Sequence, residues 1–279
     1  MLDWAKREAG IAREALKTGR AMEDVRRDRQ TSAADAEALG ASLADVRRVS
    51  WREDGLLTMA TRYGPMHLRP KDTDMLVIRQ VFIDGEYDFE KFRQMDKIKS
   101  AYARILAAGK TPVIVDAGAN IGAASLWFGA RFPEATFIAV EPDPGNAAVA
   151  RLNLASLRSA RVVEAAIGGS AGVVQLETFE NQGWGARTQR SDTGIAVVTI
   201  NDLVADVPNG ELLIAKIDIE GFEADLFSAN TEWIDQAAAI IIEPHDWLFP
   251  DGGTSQSLQT ALVGKGRELL ISGENLVFV

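Results

Sequence analysis

The chain contains no cysteine. That excludes disulfides, thiolate metal sites and a cysteine nucleophile, and it fits a cytoplasmic address. Histidine is nearly absent too: His67 and His245 are the only two, too few for a metal site built on imidazoles. No apolar run approaches the ~20 residues of a membrane span. The N-terminus, Met1-Leu-Asp-Trp-Ala-Lys-Arg-Glu, has no apolar stretch of the kind a secretory signal carries. Positive charge is in deficit, with a formal net charge of −10. A chain so acidic is not expected to wrap nucleic acid or an anionic membrane. Neither solenoid repeats nor low-complexity tracts occur.

What is present is an ordinary globular composition, 47% hydrophobic and 25% charged over 279 residues. That length holds one full α/β domain and a smaller appendage. Three regions are expected: a helical arm over 1–50, a hairpin-and-helix cap over 51–110, and the main domain over 111–279. In the arm, Ala5, Ala9, Ala12 and Leu16 share a face of a helix spanning 3–28. Ser32, with Asp35 three residues on, opens a second helix over 32–49. The arm holds ten Lys/Arg and nine Asp/Glu, so the acid excess lies elsewhere. Its narrow, alanine-rich stripe suits packing on the main domain or on a second copy, making it a candidate homo-oligomer contact. Residues 51–69 alternate as a hairpin, and 72–82 and 96–108 read as helices. From Thr111 onward strands alternate with helices: strands at 113–117, 136–141, 161–167, 212–218 and 238–243, and a closing pair at 267–272 and 275–279. Residues 172–179 and 195–200 read as an inserted hairpin or loop pair around Gly183-Trp184-Gly185. Such alternation implies an α/β fold with a doubly wound, mostly parallel seven-stranded sheet and an antiparallel final hairpin.

The first constellation with chemistry in it is Asp116, Gly118, Asn120 and Gly122, in a turn directly after a buried strand, with Glu141-Pro142 at the tip of the next strand. In a sheet of this kind the ligand lies beyond the carboxyl ends of the strands. A glycine turn lets it approach the backbone, and an acid on the next strand holds ribose hydroxyls. The G-x-G-x-x-G spacing for a pyrophosphate is missing. Asp116 would repel a diphosphate yet could hold an ammonium group. A ligand with an adenosine end and a cationic amino-acid end fits both facts, and S-adenosylmethionine is that ligand. Asp116 and Asn120 are then expected at its methionine end, Glu141 and Pro142 at the ribose, and the backbone near Ala165 and Ala166 at the adenine. Alternatively, the glycines serve only helix–strand packing.

Two further strand ends carry acids. Asp218 and Glu220 are two apart, so in a continuing strand they point the same way, and Glu220 and Glu223 could also cap the following helix. Glu243 and His245 close the next strand and could face them. His245 or Glu220, oriented by Asp218, is the expected base for a hydroxyl acceptor. No metal ligand is assigned, although these carboxylates leave Mg²⁺ or Mn²⁺ open. The loop Gln182-Gly183-Trp184-Gly185-Ala-Arg187 is the candidate substrate lid, with Trp184 and Arg187 meeting the acceptor. The Asn/Asp-Pro-Pro-Tyr tetrad of amine-methylating enzymes is missing at 218–221, which argues against a nitrogen acceptor.

The motifs around Asp116-Ala-Gly118-Ala-Asn120-Ile-Gly122, Glu141-Pro142-Asp143, Lys216-Ile-Asp218-Ile-Glu220-Gly221-Phe-Glu223 and Glu243-Pro-His245 together resemble the FkbM family of S-adenosylmethionine-dependent methyltransferases. The stretch from Asp74 to Tyr87 is similar to what precedes that family's core. The resemblance covers about residues 70–279. It implies a class I, Rossmann-like methyltransferase fold and methyl transfer to a hydroxyl on a small molecule, commonly a sugar, glycan or secondary metabolite. Two rivals stand beside it: a non-catalytic S-adenosylmethionine-binding partner protein, and a nicotinamide-dependent oxidoreductase, which the glycine turn disfavours.

Overall fold

In the computed structural model, residues 11, 14, 22–42, 48–70, 72–178 and 186–279 are described, and the chain divides into two compact units, Met1–Gly85 and Glu86–Val279. None of the described helices is long and apolar enough to cross a membrane.

In the first unit α1 (Met22–Ser42) runs unbroken through the point where two helices were expected to meet. Nothing in Arg29-Gln-Thr31 stops a helix, and Ser32 is buried within it instead of capping a new one. Arg29 is used from inside the helix. Its guanidinium bonds Glu14 and lies 4.7 Å over the Trp51 ring. The expected second helix also stops short, because residues 48–49 already belong to a strand. Three antiparallel strands follow, β1 (Arg48–Trp51), β2 (Leu57–Thr61) and β3 (Gly64–Leu68), one more than a hairpin. α2 (Asp74–Phe82) is fastened to β3 through a carboxylate with no solvent exposure. Asp74 accepts from the Arg69 amide at 2.7 Å and from its guanidinium at 2.6 Å.

The second unit opens with α3 (Met95–Ala107) and then alternates: β4 (Thr111–Ala117), α4 (Ala123–Gly129), β5 (Thr136–Val140), α5 (Pro144–Leu154), β6 (Ala160–Val163). Local chemistry explains the helix starts. Asp143 caps α5 by accepting from the Asn146 amide at 2.7 Å, and Pro144 sits where no amide is needed. The expected strand over 161–167 divides. Its last two residues leave the main sheet as β7 (Ala166–Ile167) and join β8 (Gly172–Thr178), β9 (Ala186–Arg190) and β10 (Ile195–Val198) in a separate sheet ordered β7-β10-β8-β9. The expected hairpin or loop pair is thus part of a small sheet, with β8 antiparallel to both β9 and β10. Arg190 ties it down with two bonds to Asp225, at 2.8 and 2.7 Å.

After α6 (Ile200–Ala205) come β11 (Gly210–Ile217), α7 (Glu223–Leu226), α8 (Trp233–Gln236), β12 (Ala239–Ile242), α9 (Gln256–Leu262), β13 (Leu269–Ser272) and β14 (Asn275–Phe278). The main sheet has seven strands in the order β13-β14-β12-β11-β4-β5-β6. β6, β5, β4, β11 and β12 are all parallel. β14 runs against both β12 and β13. The doubly wound, mostly parallel sheet is therefore present. The central strands are mostly apolar, as buried parallel strands are, and Val113, Val115, Leu212, Ala215, Ile240 and Ile242 join one core; Asp116 on β4 and Lys216 on β11 are the buried charges among them. Strand order reverses between β4 and β11, which places a crevice at their carboxyl ends.

Replacing Asp74 by alanine strands the Arg69 amide and removes a charge-assisted pair. The first unit should lose about 2–3 kcal/mol, seen as earlier unfolding in urea. A midpoint equal to the parent's would show that the pair does not hold α2.

Candidate active site

The turn after β4 is shaped by what presses on it. Gly118 adopts φ 71°, and a Cβ there would sit 1.7 Å from the Asp218 carbonyl oxygen. Only glycine fits, and it is the neighbouring strand end that demands it. Gly122 (φ 81°) precedes α4 with Leu154 against it, so that glycine also serves packing. Between them Asn120 is left-handed at φ 49°. Its side-chain oxygen is buried with no hydrogen-bond partner among the described residues. A buried acceptor left unpaired costs free energy, so it suits a ligand's donor.

Asp116 lies under this turn with no exposure. Its Oδ2 accepts from the Ser125 hydroxyl at 2.7 Å, and its Oδ1 is 3.3 Å from the Lys216 ammonium. Asp116 was expected to meet a ligand's ammonium, but here it meets the protein's own. Lys216, on β11, is also buried. Its Nζ donates to the Gly118 carbonyl at 2.8 Å and lies 3.5 Å from Asp218 Oδ2. Burial works against the charged ammonium. Asp116, Asp218 and Glu86 around it outweigh burial and hold its pKa well above the usual value.

Glu141 stands at the tip of β5, 5% exposed. Its Oε2 accepts from the Asn120 amide at 2.8 Å. Its Oε1 accepts from the Asp143 amide at 2.9 Å and from Asn146 Nδ2 at 3.3 Å. Burial raises its pKa against the pull of these donors. A carboxylate offers about four lone-pair directions, so Glu141 can still accept from a hydroxyl. Pro142 follows it in the same turn. Ala165 and Ala166, both buried, lie just beyond β6, whose Val163 carbonyl accepts from the Glu141 amide.

On the other side of the crevice β11 ends at Ile217, so Asp218 and Glu220 do not share a strand face. Glu220 (φ 50°) and Gly221 (φ 95°) turn the chain sharply, and a Cβ on Gly221 would meet the Phe249 ring at 2.3 Å. Glu223 is not a surface cap. It is 1% exposed and its Oε1 lies 2.7 Å from His245 Nδ1. Thus Glu223, not Asp218, orients the imidazole. His245 Nε2 faces Asp218 Oδ1 at 3.6 Å and Glu243 Oε1 at 3.8 Å. Burial opposes charge on His245, but the Glu223 bond and the three acids prevail, and its pKa rises to about 9. Glu243 is pushed up to about 7, by burial first and by Asp218 next. Trp184 lies outside the described residues. Arg187 stands on β9 opposite Glu177.

Lys216 carried no expected role, and Glu223 entered only through the alternative that it caps a helix. A lysine inside the apolar run Leu212-Leu-Ile-Ala-Lys216-Ile217 was a signal, since a buried ammonium requires acids around it.

The model of the methyltransferase FkbM domain matches residues 116–258, just over half of the chain. The chain belongs to the FkbM methyltransferase family. The matched span runs from Asp116 through the Glu243–His245 strand end, so it contains every group described above except Glu86. A curated relative, methyltransferase sdnD of Sordaria araneosa, is 40% identical over 73 residues, 25% of this chain and 28% of that protein. The chain thus matches little more than a quarter of that relative's length. Among solved structures, a precorrin-6y C5,15-methyltransferase from Geobacter metallireducens is similar at 13% identity and a TM-score of 0.35, over 66% of this chain and 84% of that one. A putative caffeoyl-CoA O-methyltransferase from Staphylococcus aureus is similar at 10% identity and 0.37, over 74% and 96%. These are distant likenesses, and the fold rests on the sheet itself.

Lys216→Met would leave Asp116 buried without a counter-charge, and stability should fall by about 3–5 kcal/mol. Adding Asp116→Asn should restore a good part of it, since both charges are then gone. Strictly additive losses in denaturant unfolding would show that the two do not form a pair.

Proposed function

We propose that the chain is an S-adenosylmethionine-dependent O-methyltransferase acting on a hydroxyl of a sugar, glycan or secondary metabolite. The observation that carries the cofactor reading is the unpartnered, buried Asn120 oxygen beside Glu141, at the point where strand order reverses. An ammonium group would satisfy that oxygen, and a ribose hydroxyl the remaining lone pair of Glu141. Ala165 and Ala166 would flank the adenine. Asp116 acts from below by setting the turn through Ser125 and Lys216.

Bound there, S-adenosylmethionine would supply a methyl group on a sulfonium, leaving a thioether once the acceptor oxygen had taken the carbon and released its proton. The chain's part is mostly positioning, with one group taking the proton. Asp218, after β11, lies one strand over from the cofactor turn, and Glu243, after β12, two over beside the charged His245; these carboxylates can receive it, and Glu220 stands in the adjoining turn. The acceptor assignment to oxygen rests on this acid-and-imidazole set at strand ends where an amine-methylating tetrad is missing. Trp184 and Arg187 remain the residues proposed to meet the acceptor.

Glu141→Ala should weaken S-adenosylhomocysteine binding by about 2–3 kcal/mol in calorimetry, with NAD(H) failing to bind either protein. Unchanged affinity would remove Glu141 from the ribose site. His245→Ala and Glu243→Gln should keep that affinity within a few-fold and lose roughly 10²- to 10⁴-fold in turnover. Turnover at the parent's rate in both would take the proton acceptor away from this cluster.

A further inference from the structure

We propose that Asp218, Glu243 and His245 form a site for a divalent cation of the Mg²⁺ or Mn²⁺ kind, placed where it would hold the acceptor's oxygen. This deepens the methyltransferase reading and rests on it for the cation's use, though not for its binding.

The three side chains converge with no hydrogen bond joining them. One ligand atom from each, Asp218 and Glu243 oxygens and an imidazole nitrogen, lie within 4.8 Å of one another. His245 Nε2 is 3.6 Å from Asp218 Oδ1 and 3.8 Å from Glu243 Oε1. Both distances exceed a hydrogen bond. They are a little wider than the ~3 Å between neighbouring ligands of a cation bound at ~2.1 Å, so a shift of well under an ångström would close the set.

Two independent observations point to a ligand at this spot. First, the His245 side chain is 5% exposed, and its Nδ1 is held by Glu223 at 2.7 Å. That bond fixes the ring so that Nε2, which has no hydrogen bond among the described residues, faces the two carboxylates. A carboxylate behind a histidine is how metal-bound imidazoles are commonly oriented. Second, the Glu243 side chain is 12% exposed and receives no hydrogen bond from any described residue. A carboxylate in that state needs a positive partner, either the His245 imidazolium at 3.8 Å or, with His245 neutral, a cation bound between them. Lys216 does not fill the place. It reaches the far oxygen of Asp218, Oδ2, at 3.5 Å and is spent on Asp116 and the Gly118 carbonyl. Glu86 and Glu274 add to the negative potential felt by Glu243.

The donor set narrows the cation. Two carboxylate oxygens and one imidazole nitrogen, with no thiolate anywhere in the chain, suit Mn²⁺ or Mg²⁺ over soft metals. Three protein ligands leave the remaining positions of a six-coordinate ion to water and to the acceptor. An acceptor offering two adjacent oxygens, a vicinal diol or hydroxy acid, would chelate there.

The test uses full-length, tag-free protein stripped with EDTA, titrated with Mn²⁺ and followed by the electron paramagnetic resonance signal of the free ion, with and without S-adenosylhomocysteine. One Mn²⁺ per chain should bind, at least tenfold more weakly in Glu243→Gln and about tenfold more weakly in Glu223→Gln, where only the orienting bond is lost. Thermal melting confirms that each variant folds. Added Mg²⁺ should displace Mn²⁺. Equal Mn²⁺ affinity in parent and Glu243→Gln overturns the cation site, and full methyl transfer in excess EDTA overturns its part in holding the acceptor; both leave the methyltransferase reading intact. Stoichiometric Mn²⁺ binding by a chain that does not bind S-adenosylhomocysteine would uphold the site and remove the cofactor reading.

Discussion

A single buried ammonium joins the two halves of the crevice. Lys216 Nζ reaches Asp116 beneath the turn after β4, the Gly118 carbonyl within it, and Asp218 just past the end of β11. Bringing that charge out of water costs several kcal/mol, recovered only while all three partners stay in place. The cost makes the arrangement specific. If β4 and β11 moved apart at their carboxyl ends, a lysine and an aspartate would be left buried and unpaired together. The register of these strands, in which Lys216 lies beside Asp116, is therefore held by charge as well as by the apolar core.

The rest of the crevice follows from that junction. Asp218 turns one carboxylate oxygen to Lys216 and the other toward His245. Its carbonyl presses so closely on residue 118 that no side chain fits there. The Glu220–Gly221 turn then carries the chain into α7, where Glu223 fixes the imidazole from behind. The turn proposed for the cofactor's amino-acid end and the acids proposed to face the acceptor thus share one wall. Changing Lys216 would disturb both, although it touches neither proposed ligand.

The motifs and the sheet were legible in the sequence because both are local signals. Apolar runs such as Val113–Val115 and Ile240–Ile242, each followed by an acid or glycine, announce buried parallel strands and their carboxyl ends. What failed depended on lateral neighbours. The run over 161–167 shows continuous strand character, yet its last residues pair with Val197 and Val198 instead of the main sheet. The two expected arm helices are one through residues 29–31, because a serine and an aspartate three apart can sit mid-helix as well as at a start. Asp218 and Glu220 were paired on the assumption that β11 continues, and a left-handed backbone at Glu220 breaks it. Glu223 read as a helix cap because its partner His245 lies 22 residues away, a distance no periodicity reports.

The central claim is that this crevice binds S-adenosylmethionine with its methyl group directed at the Asp218–Glu243–His245 cluster. A crystal structure with S-adenosylhomocysteine bound tests it most directly. The account requires the ribose hydroxyls on Glu141, the ammonium on the Asn120 side-chain oxygen, and the sulfur on the side facing Asp218 and His245. A bound ligand whose ribose lies away from Glu141, or whose sulfur faces away from that cluster, would contradict it.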